Sequence, residues 1–298
     1  MGSYDILAIG GGMAGLTAAS EMASAGRKIG LVEPSPMFGG QIANVETVEG
    51  LEAPTPGLML AMDAMQGCVG NGVDILPEEV NVVMSEGDAF HISTSQQTHS
   101  ASVLILASGG RLKKLGIPGE AEFDGRGVSQ CASCDGPIFQ GEDVVVVGGG
   151  DAAGQEALVL AGFCRNVTLL TRSGLKADAR YGERLAAANN IHHVDGVTAE
   201  EIVGGDTVSG LRIRRVDNGA PAEISCSGVF PFIGSEPNSG CVAELLKLEG
   251  GLVPTDEAFA SAVPNLFAVG AVRKDYSGQI ADAIEEGRRA AQSALSKF

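Results

Sequence analysis

The chain is short of basic residues: 20 Lys and Arg stand against 37 Asp and Glu, and the formal net charge is −17. Such an acidic surface repels phosphate backbones, so we expect no nucleic-acid partner. The sequence also lacks an apolar run of membrane-spanning length, and no basic segment followed by an apolar core opens it. These absences predict a cytoplasmic protein with no membrane partner.

Cysteine is also scarce, with six residues at irregular spacing, which is not the pattern of a secreted disulfide framework. A zinc site needs four ligands, but a second CxxC is absent and His192 and His193 are adjacent rather than suitably spaced, so no metal is expected. Four cysteines stand alone and are predicted to be plain core or surface residues: Cys68, Cys164, Cys226 and Cys241.

The other two cysteines form the motif Cys131-Ala132-Ser133-Cys134, with Asp135 directly after it. Thiols at this spacing can close a disulfide across one turn, and such a pair lowers the pKa of one thiol. Asp135 is a candidate acid or base beside them. The alternative is a pair of inert thiols; we interpret the motif as a redox pair, with Cys131, Cys134 and Asp135 as the catalytic residues.

Glycine is abundant, with 43 residues, and it marks a nucleotide-binding turn near the start. A strand-like run from Tyr4 to Ile9 leads into G-x-G-x-x-G at Gly10, Gly12 and Gly15, and Glu33 ends the next strand. The first glycine makes the turn, the second lets a pyrophosphate approach the backbone, and the third lets helix pack on strand. The helix N-terminus then favours the phosphates, and Glu33 would bind the ribose hydroxyls.

The same pattern returns more than a hundred residues later. An aliphatic strand over 143–147 leads into Gly148, Gly150 and Ala153, and the following strand ends near Thr171. Fully apolar strands belong in a sheet covered on both faces. We therefore predict an α/β protein with two Rossmann-like, doubly wound, three-layer dinucleotide-binding domains.

Beyond these motifs, the chain resembles the low-molecular-weight thioredoxin reductases over nearly its whole length. The matching stretches are Gly39-Gly40-Gln41, the run NVETVEG from Asn44, the run from Ala107 to Gly136 that contains the CxxC, VVVVGGGDAAGQEA, and PFIGSEPN. The resemblance implies an FAD-binding domain in two parts, residues 1–111 and 238–298. The domain inserted into it, residues 112–237, would carry the CxxC and the second dinucleotide fold.

The resemblance also implies the cofactors, the partners and the chemistry. Reduced FAD would pass electrons to the Cys131–Cys134 disulfide, with Cys134 nearest the flavin and Asp135 assisting proton transfer, and the dithiol would exchange with a thioredoxin-like protein or a small disulfide or dithiol. Members of the family are homodimers, and their inserted domain rotates to present the disulfide or the nicotinamide to the flavin. The residues implied for FAD are Gly10, Gly12, Ala14, Gly15, Glu33, Gly39, Gly40, Gln41, Asn44, Ala107, Ser108, Gly109, Gly270, Ala271, Gln279 and Ile280. Those of the second nucleotide site are Gly148, Gly150, Asp151, Ala153 and Arg172.

Two departures from the family pattern concern the cofactors. The family has a cluster of cations for the 2′-phosphate of NADPH. This chain keeps one of its arginines, Arg172, and has Lys176 one position before the place of the cluster's last arginine, which predicts weak NADPH binding. No acid replaces the cluster, so a switch to NAD is not predicted either. The aspartate that bonds the ribityl chain of FAD in the family is here Ala271, which predicts weaker FAD binding.

These departures leave three functional hypotheses. The first is an NADPH-dependent thioredoxin reductase with a reduced phosphate clamp. The second is a relative independent of pyridine nucleotides, which is driven by ferredoxin, linked to a second flavin, or runs in reverse as an oxygen-using dithiol oxidase. The third is a non-catalytic flavin-binding sensor, and the intact CxxC with Asp135 argues against it.

Overall fold

The computed structural model describes residues 2–48, 51 and 53–298. The strands are, in chain order, β1 Ser3–Ile9, β2 Ile29–Val32, β3 Asp74–Leu76, β4 Val80–Glu86, β5 Ala89–Thr94, β6 Thr98–Leu106, β7 Gly110–Leu112, β8 Asp143–Val147, β9 Asn166–Thr171, β10 Ile191–Asp195, β11 Val197–Gly204, β12 Val208–Arg215, β13 Pro221–Ser225, β14 Gly228–Pro231, β15 Ser235–Pro237 and β16 Leu266–Ala268. The α-helices are α1 Met13–Ser24, α2 Gly57–Gly70, α3 Ala132–Asp135, α4 Asp151–Ala161, α5 Ala179–Ala187 and α6 Ile280–Leu295. No helix among the residues that the structure describes is long and apolar enough to cross a membrane.

The chain divides into two compact units. The first unit contains the residues up to Arg111 together with Glu236–Phe298, and the second unit is Leu112–Ser235. The two connections between them, β7 and β15, pair as a two-stranded sheet. The second unit is thus an insertion into the first.

The first unit is built on a parallel sheet in the order β3-β2-β1-β6, and β16 also pairs with β6 in parallel. The β4–β5 hairpin continues this sheet through antiparallel pairing of β5 with the beginning of β6. Helices α1 and α6 pack on one face, where Gly287 of α6 approaches so closely that a Cβ there would lie 2.4 Å from the carbonyl oxygen of Ala14. The other face of the sheet carries its own buried apolar cluster, so the strands are covered on both sides.

The second unit combines a parallel sheet, in the order β10-β9-β8-β14, with an antiparallel sheet of β11, β12 and β13. Helix α4 and helix α5 contribute to the apolar cluster on one face of β8 and β9. The antiparallel sheet of β11, β12 and β13 contributes to the cluster on the other face. Both units are therefore layered α/β folds, which confirms the predicted class.

Element boundaries follow the glycines closely. Helix α1 ends at Ser24, and Gly26 follows with φ of +82°. Helix α4 ends at Ala161, and Gly162 is its C-terminal cap. The last two residues of the NVETVEG run, Glu49 and Gly50, lie outside the described residues.

Candidate active site

The first glycine turn joins β1 to α1 at the carboxyl edge of the sheet. Gly10 has φ of +107°, and a Cβ there would lie 2.3 Å from the carbonyl oxygen of Ala107. A Cβ on Gly15 would lie 2.0 Å from the carbonyl oxygen of Gly10, whereas a Cβ on Gly12 would meet nothing within 4 Å. Two of the glycines are thus required by packing, and the backbone at Gly12 faces open space.

The carboxylate of Glu33 lies against this turn. Its Oε2 accepts the N–H of Gly11 at 2.7 Å, and its Oε1 accepts the N–H of Ser35 at 2.9 Å. The first turn of α1 contains no acidic residue, so its positive end has no carboxylate of its own there. Turn, helix end and acid together fit a dinucleotide whose pyrophosphate meets α1 and whose ribose meets Glu33.

Most of the other residues predicted for FAD surround the same edge. The N–H of Gly39 bonds the carbonyl oxygen of Gly11 at 2.8 Å, and a Cβ on Gly40 would lie 3.6 Å from Cα of Gly12. Gln41 donates its side-chain amide to the carbonyl oxygen of Gly110 at 2.7 Å. Asn44 ends the short 3-10 helix that starts at Gly40.

The C-terminal part of the first unit reaches this edge as well. A Cβ on Gly270 would lie 3.3 Å from the Cβ of Ala14, and Ala271 follows in the same turn. Gln279 is the N-cap of α6. Its neighbour Ile280 packs on an apolar cluster that includes Met13.

The strand-end residues Ala107, Ser108 and Gly109 have different surroundings. Ala107 donates its N–H to the carbonyl oxygen of Ile9 at 2.8 Å. Ser108 donates its hydroxyl to the carbonyl oxygen of Asn238 at 2.7 Å, and Asn238 donates its N–H to Gly109 at 2.9 Å. These bonds tie the two strands that leave the first unit.

One acid below the Gly270 turn is not among the residues that the sequence predicts for the site. Glu286 is buried, accepts the N–H of Gly270 at 2.8 Å, and forms an ion pair with Arg273 at 2.5 Å. A buried carboxylate must be paired in this way to remain charged. The sequence gives no signal for this role, because Glu285 and Glu286 are adjacent identical residues and only the fold buries one of them and leaves the other exposed.

Cys131 and Cys134, the predicted redox pair, form a disulfide with 5.3 Å between their Cα atoms. Cys131 caps the short helix α3, and its Sγ accepts the N–H of Cys134 at 3.2 Å. Cys134 is exposed and Cys131 is half-buried. Asp135 is the last residue of α3, and its N–H bonds the carbonyl oxygen of Cys131 at 3.1 Å. When the disulfide opens, the N–H of Cys134 is placed to stabilise a thiolate on Cys131.

The four remaining cysteines differ from this pair because they are free thiols. Burial raises the pKa of the Cys68, Cys164 and Cys241 thiols to about 11 and that of Cys226 to about 12. Such thiols are almost wholly protonated at neutral pH and are poor nucleophiles. Among the described residues, no group of three or more His, Cys, Asp or Glu side chains could hold a metal ion.

The second glycine turn repeats the geometry of the first. Gly148 has φ of +151°, and a Cβ there would lie 2.1 Å from the carbonyl oxygen of Phe232, whereas a Cβ on Gly150 would meet nothing within 4 Å. Ala153 is fully buried under the turn. Asp151 opens α4 and accepts the N–H of Asp178 at 2.7 Å. A second dinucleotide-type turn therefore stands at the carboxyl end of β8.

The loop after β9 differs from the first unit. Thr171 ends the strand, and its hydroxyl donates to Oδ1 of Asp195 at 2.6 Å. The same oxygen accepts the N–H of Gly174 at 2.6 Å. Arg172 is exposed. Residues 171–177 contain no acid, because Asp195 comes from the neighbouring strand β10.

Comparison with known proteins agrees with this geometry. A family model described as pyridine nucleotide-disulphide oxidoreductase matches residues 4–287. The thioredoxin reductase of Treponema pallidum (strain Nichols) is 37% identical over 297 residues, which cover 98% of this chain and 96% of that protein. The crystal structure of Lactococcus lactis thioredoxin reductase superposes with a TM-score of 0.94 at 34% identity, covering 98% of both chains. That of T. acidophilum thioredoxin reductase gives 0.93 at 28% identity, covering 100% of this chain and 99% of the other.

Proposed function

The chain belongs to the pyridine nucleotide-disulphide oxidoreductase family as a thioredoxin-reductase-like, FAD-dependent disulfide oxidoreductase, and we propose that Cys131 and Cys134 are the redox pair through which it acts. FAD supplies the two-electron chemistry when bound. The observation that carries the proposal is the disulfide itself, whose Cys131 sulfur accepts the N–H of Cys134. Similarity to thioredoxin reductases supports this reading over the flavin sensor and over the types independent of pyridine nucleotides.

In the exchange step, Cys131 attacks one sulfur of the partner disulfide as a thiolate. The mixed disulfide forms as the partner's other sulfur leaves with its electron pair and takes up a proton. Cys134 then attacks Cys131, which restores the Cys131–Cys134 disulfide and releases the partner as a dithiol. Asp135, next to Cys134 in the chain, is proposed to take the proton that Cys134 loses.

The FAD site is proposed from the residues of the first unit. The backbone at Gly12 and the start of α1 hold the pyrophosphate, and Glu33 accepts bonds from the adenosine ribose. The turn Gly270-Ala271 and the N-terminus of α6 at Ile280 face the rest of the cofactor. Gly10 and Gly15 serve the site by packing, because side chains there would strike backbone oxygens.

The partner is proposed to be a thioredoxin-like protein or a small disulfide or dithiol. Ile138, four positions beyond Cys134, is 75% exposed, the highest value among the large apolar side chains of the described residues. An exposed apolar side chain four positions from the redox pair in the sequence favours docking of an apolar surface around the partner's disulfide.

We also propose a homodimer in the cytoplasm. Helix α2 exposes Leu58, Met59, Met62 and Val69 along one side, which is an unpartnered apolar face suited to a second copy. Four free thiols fit a reducing compartment. NADPH is proposed to be a poor electron donor, because Arg172 replaces a cluster of cations.

The redox pair is tested by single-turnover oxidation of the reduced flavin. The FAD-loaded protein is reduced anaerobically with dithionite and mixed with oxidised thioredoxin or glutathione disulfide, and flavin absorbance is followed. Cys131→Ser and Cys134→Ser are expected to keep their flavin and to lose reoxidation by at least about a hundredfold. Cys241→Ala, at a half-buried free thiol of raised pKa, is the matched control and should behave like the unmodified protein. Full reoxidation in the Cys134→Ser variant would sink the proposal.

A further inference from the structure

We infer that Asp195 makes the second nucleotide site specific for a dinucleotide whose adenosine ribose carries a free 2′-hydroxyl, such as NAD(H), rather than a 2′-phosphate. The inference rests on the proposed function, since it names the donor class for the same disulfide chemistry. It goes beyond the weak NADPH site that the sequence predicts, because it assigns a positive preference and the residue that causes it.

The two dinucleotide-type units align position by position at this place. Glu33 stands 18 positions after Gly15, and Thr171 stands 18 positions after Ala153. Both follow directly on the second strand of their unit or end it. Thr171 therefore occupies the place of the acid that binds ribose, but its side chain has no charge.

The neighbouring strand supplies the missing carboxylate. Strand β10 runs parallel to β9, and the register pairs Asp195 directly with Thr171 at the end of both strands. Oδ1 of Asp195 accepts the Thr171 hydroxyl and the N–H of Gly174, both at 2.6 Å. His193 Nε2 lies 2.8 Å from the same hydroxyl. Because that hydroxyl gives its one proton to Asp195, His193 must be the donor in its own contact.

These contacts hold the carboxylate in its charged form at the site. The hydroxyl of Thr171 and the N–H groups of Gly174 and Gly196 lower the pKa of Asp195 below its ordinary value. An ionised carboxylate offers about four acceptor positions, so it retains capacity for the hydroxyls of a ribose. A dianionic 2′-phosphate at the same place would instead meet a like charge.

The cations of the loop do not neutralise Asp195. Arg172 and Lys176 are exposed, and neither forms an ion pair with Asp195 among the residues that the structure describes. The N–H of Lys176 bonds the carbonyl oxygen of Gly149 at 2.7 Å, which fixes the loop against the glycine turn. A 2′-phosphate would therefore be attracted by one arginine and repelled by one fixed carboxylate. The two hydroxyls of an unmodified ribose would instead find a hydrogen-bond acceptor in that carboxylate.

The test measures binding rather than turnover. Isothermal titration of the FAD-loaded protein with NAD⁺ and NADP⁺ is expected to give at least about tenfold tighter binding of NAD⁺. Asp195→Asn keeps an acceptor oxygen for Thr171 and Gly174 but removes the charge, so it should tighten NADP⁺ several-fold and weaken NAD⁺ only slightly. Asp206→Asn, an exposed carboxylate of the same unit, is the matched control and should change neither affinity.

Tighter binding of NADP⁺ than of NAD⁺ by the unmodified protein would overturn the inference. So would failure to bind either dinucleotide, or an equal change of both affinities in Asp195→Asn. The dithionite-driven reoxidation assay uses no nicotinamide. If that assay succeeds while NAD⁺ does not bind, only this inference fails; if the assay fails, the disulfide chemistry is wrong as well.

Discussion

Small side chains line one edge of the first unit, where FAD is proposed to bind, and one of them is Ala271. Gly12 faces open space, and Gly270 lies against Ala14, so the proposed FAD site depends on the absence of larger side chains at these positions. Ala271 has the same small size, but in the related family this position is an aspartate that bonds the ribityl chain. Buried Glu286, which pairs with the half-buried Arg273, holds the backbone of this turn in place through the N–H of Gly270.

Restoring the acid at this turn should strengthen FAD binding. A hydrogen bond to a charged acceptor contributes about 1.5–3 kcal/mol, so Ala271→Asp is expected to lower the dissociation constant of FAD by about tenfold to a hundredfold. Equilibrium dialysis of the apoprotein with FAD measures this, and Ala243→Asp, at an exposed alanine of the first unit, serves as a control for added charge. An unchanged dissociation constant would mean that position 271 does not face the ribityl chain.

At the scale of elements, much of the fold could be predicted because many strands and helices have a local signal in the sequence. The strands before each glycine motif are continuous apolar runs, and the motifs place the helix starts. Contacts between elements have no such local signal in the sequence. Asp195 lies 24 positions after Thr171, and only the parallel register of β9 and β10 brings their side chains together. Glu286 is likewise placed by the packing of α6 under the Gly270 turn.

Helix α2 carries the prediction that belongs to this scale. Met59 and Met62 are 55% and 52% exposed, so a dimer that buries the exposed half of each side chain is stabilised by about 1 kcal/mol per side chain. Met59→Glu with Met62→Glu should therefore shift the protein from dimer to monomer in sedimentation velocity. Met84→Glu, at a side chain 50% exposed on β4, is the matched control and should leave the dimer intact. A dimer that survives the double change would place the interface elsewhere.

For the whole molecule, the buried thiols predict how stability depends on alkaline pH. Their folded pKa values of about 11 to 12 lie above the unfolded value of about 8.5. Each thiol thus contributes stability that is fully present below about pH 8.5 and is lost as pH rises towards the folded pKa, because only the unfolded chain ionises in that range.

Thermal unfolding at pH 8 and pH 10.5 checks this dependence. The unmodified protein should lose melting temperature between the two values, and Cys226→Ala should lose less, since it removes the thiol with the highest pKa. Ser225→Ala, one position earlier in the chain, adds no titrating group and should follow the unmodified protein. An identical loss in all three proteins would contradict the assignment.

The central claim is that bound FAD and the Cys131–Cys134 disulfide form one redox system, and an anaerobic dithionite titration tests it most directly. Each of the two centres takes up one electron pair, so the FAD-loaded protein should consume about two equivalents of dithionite per flavin. Cys131→Ser, which cannot form the disulfide, should consume about one. Consumption of only about one equivalent by the unmodified protein would contradict the account.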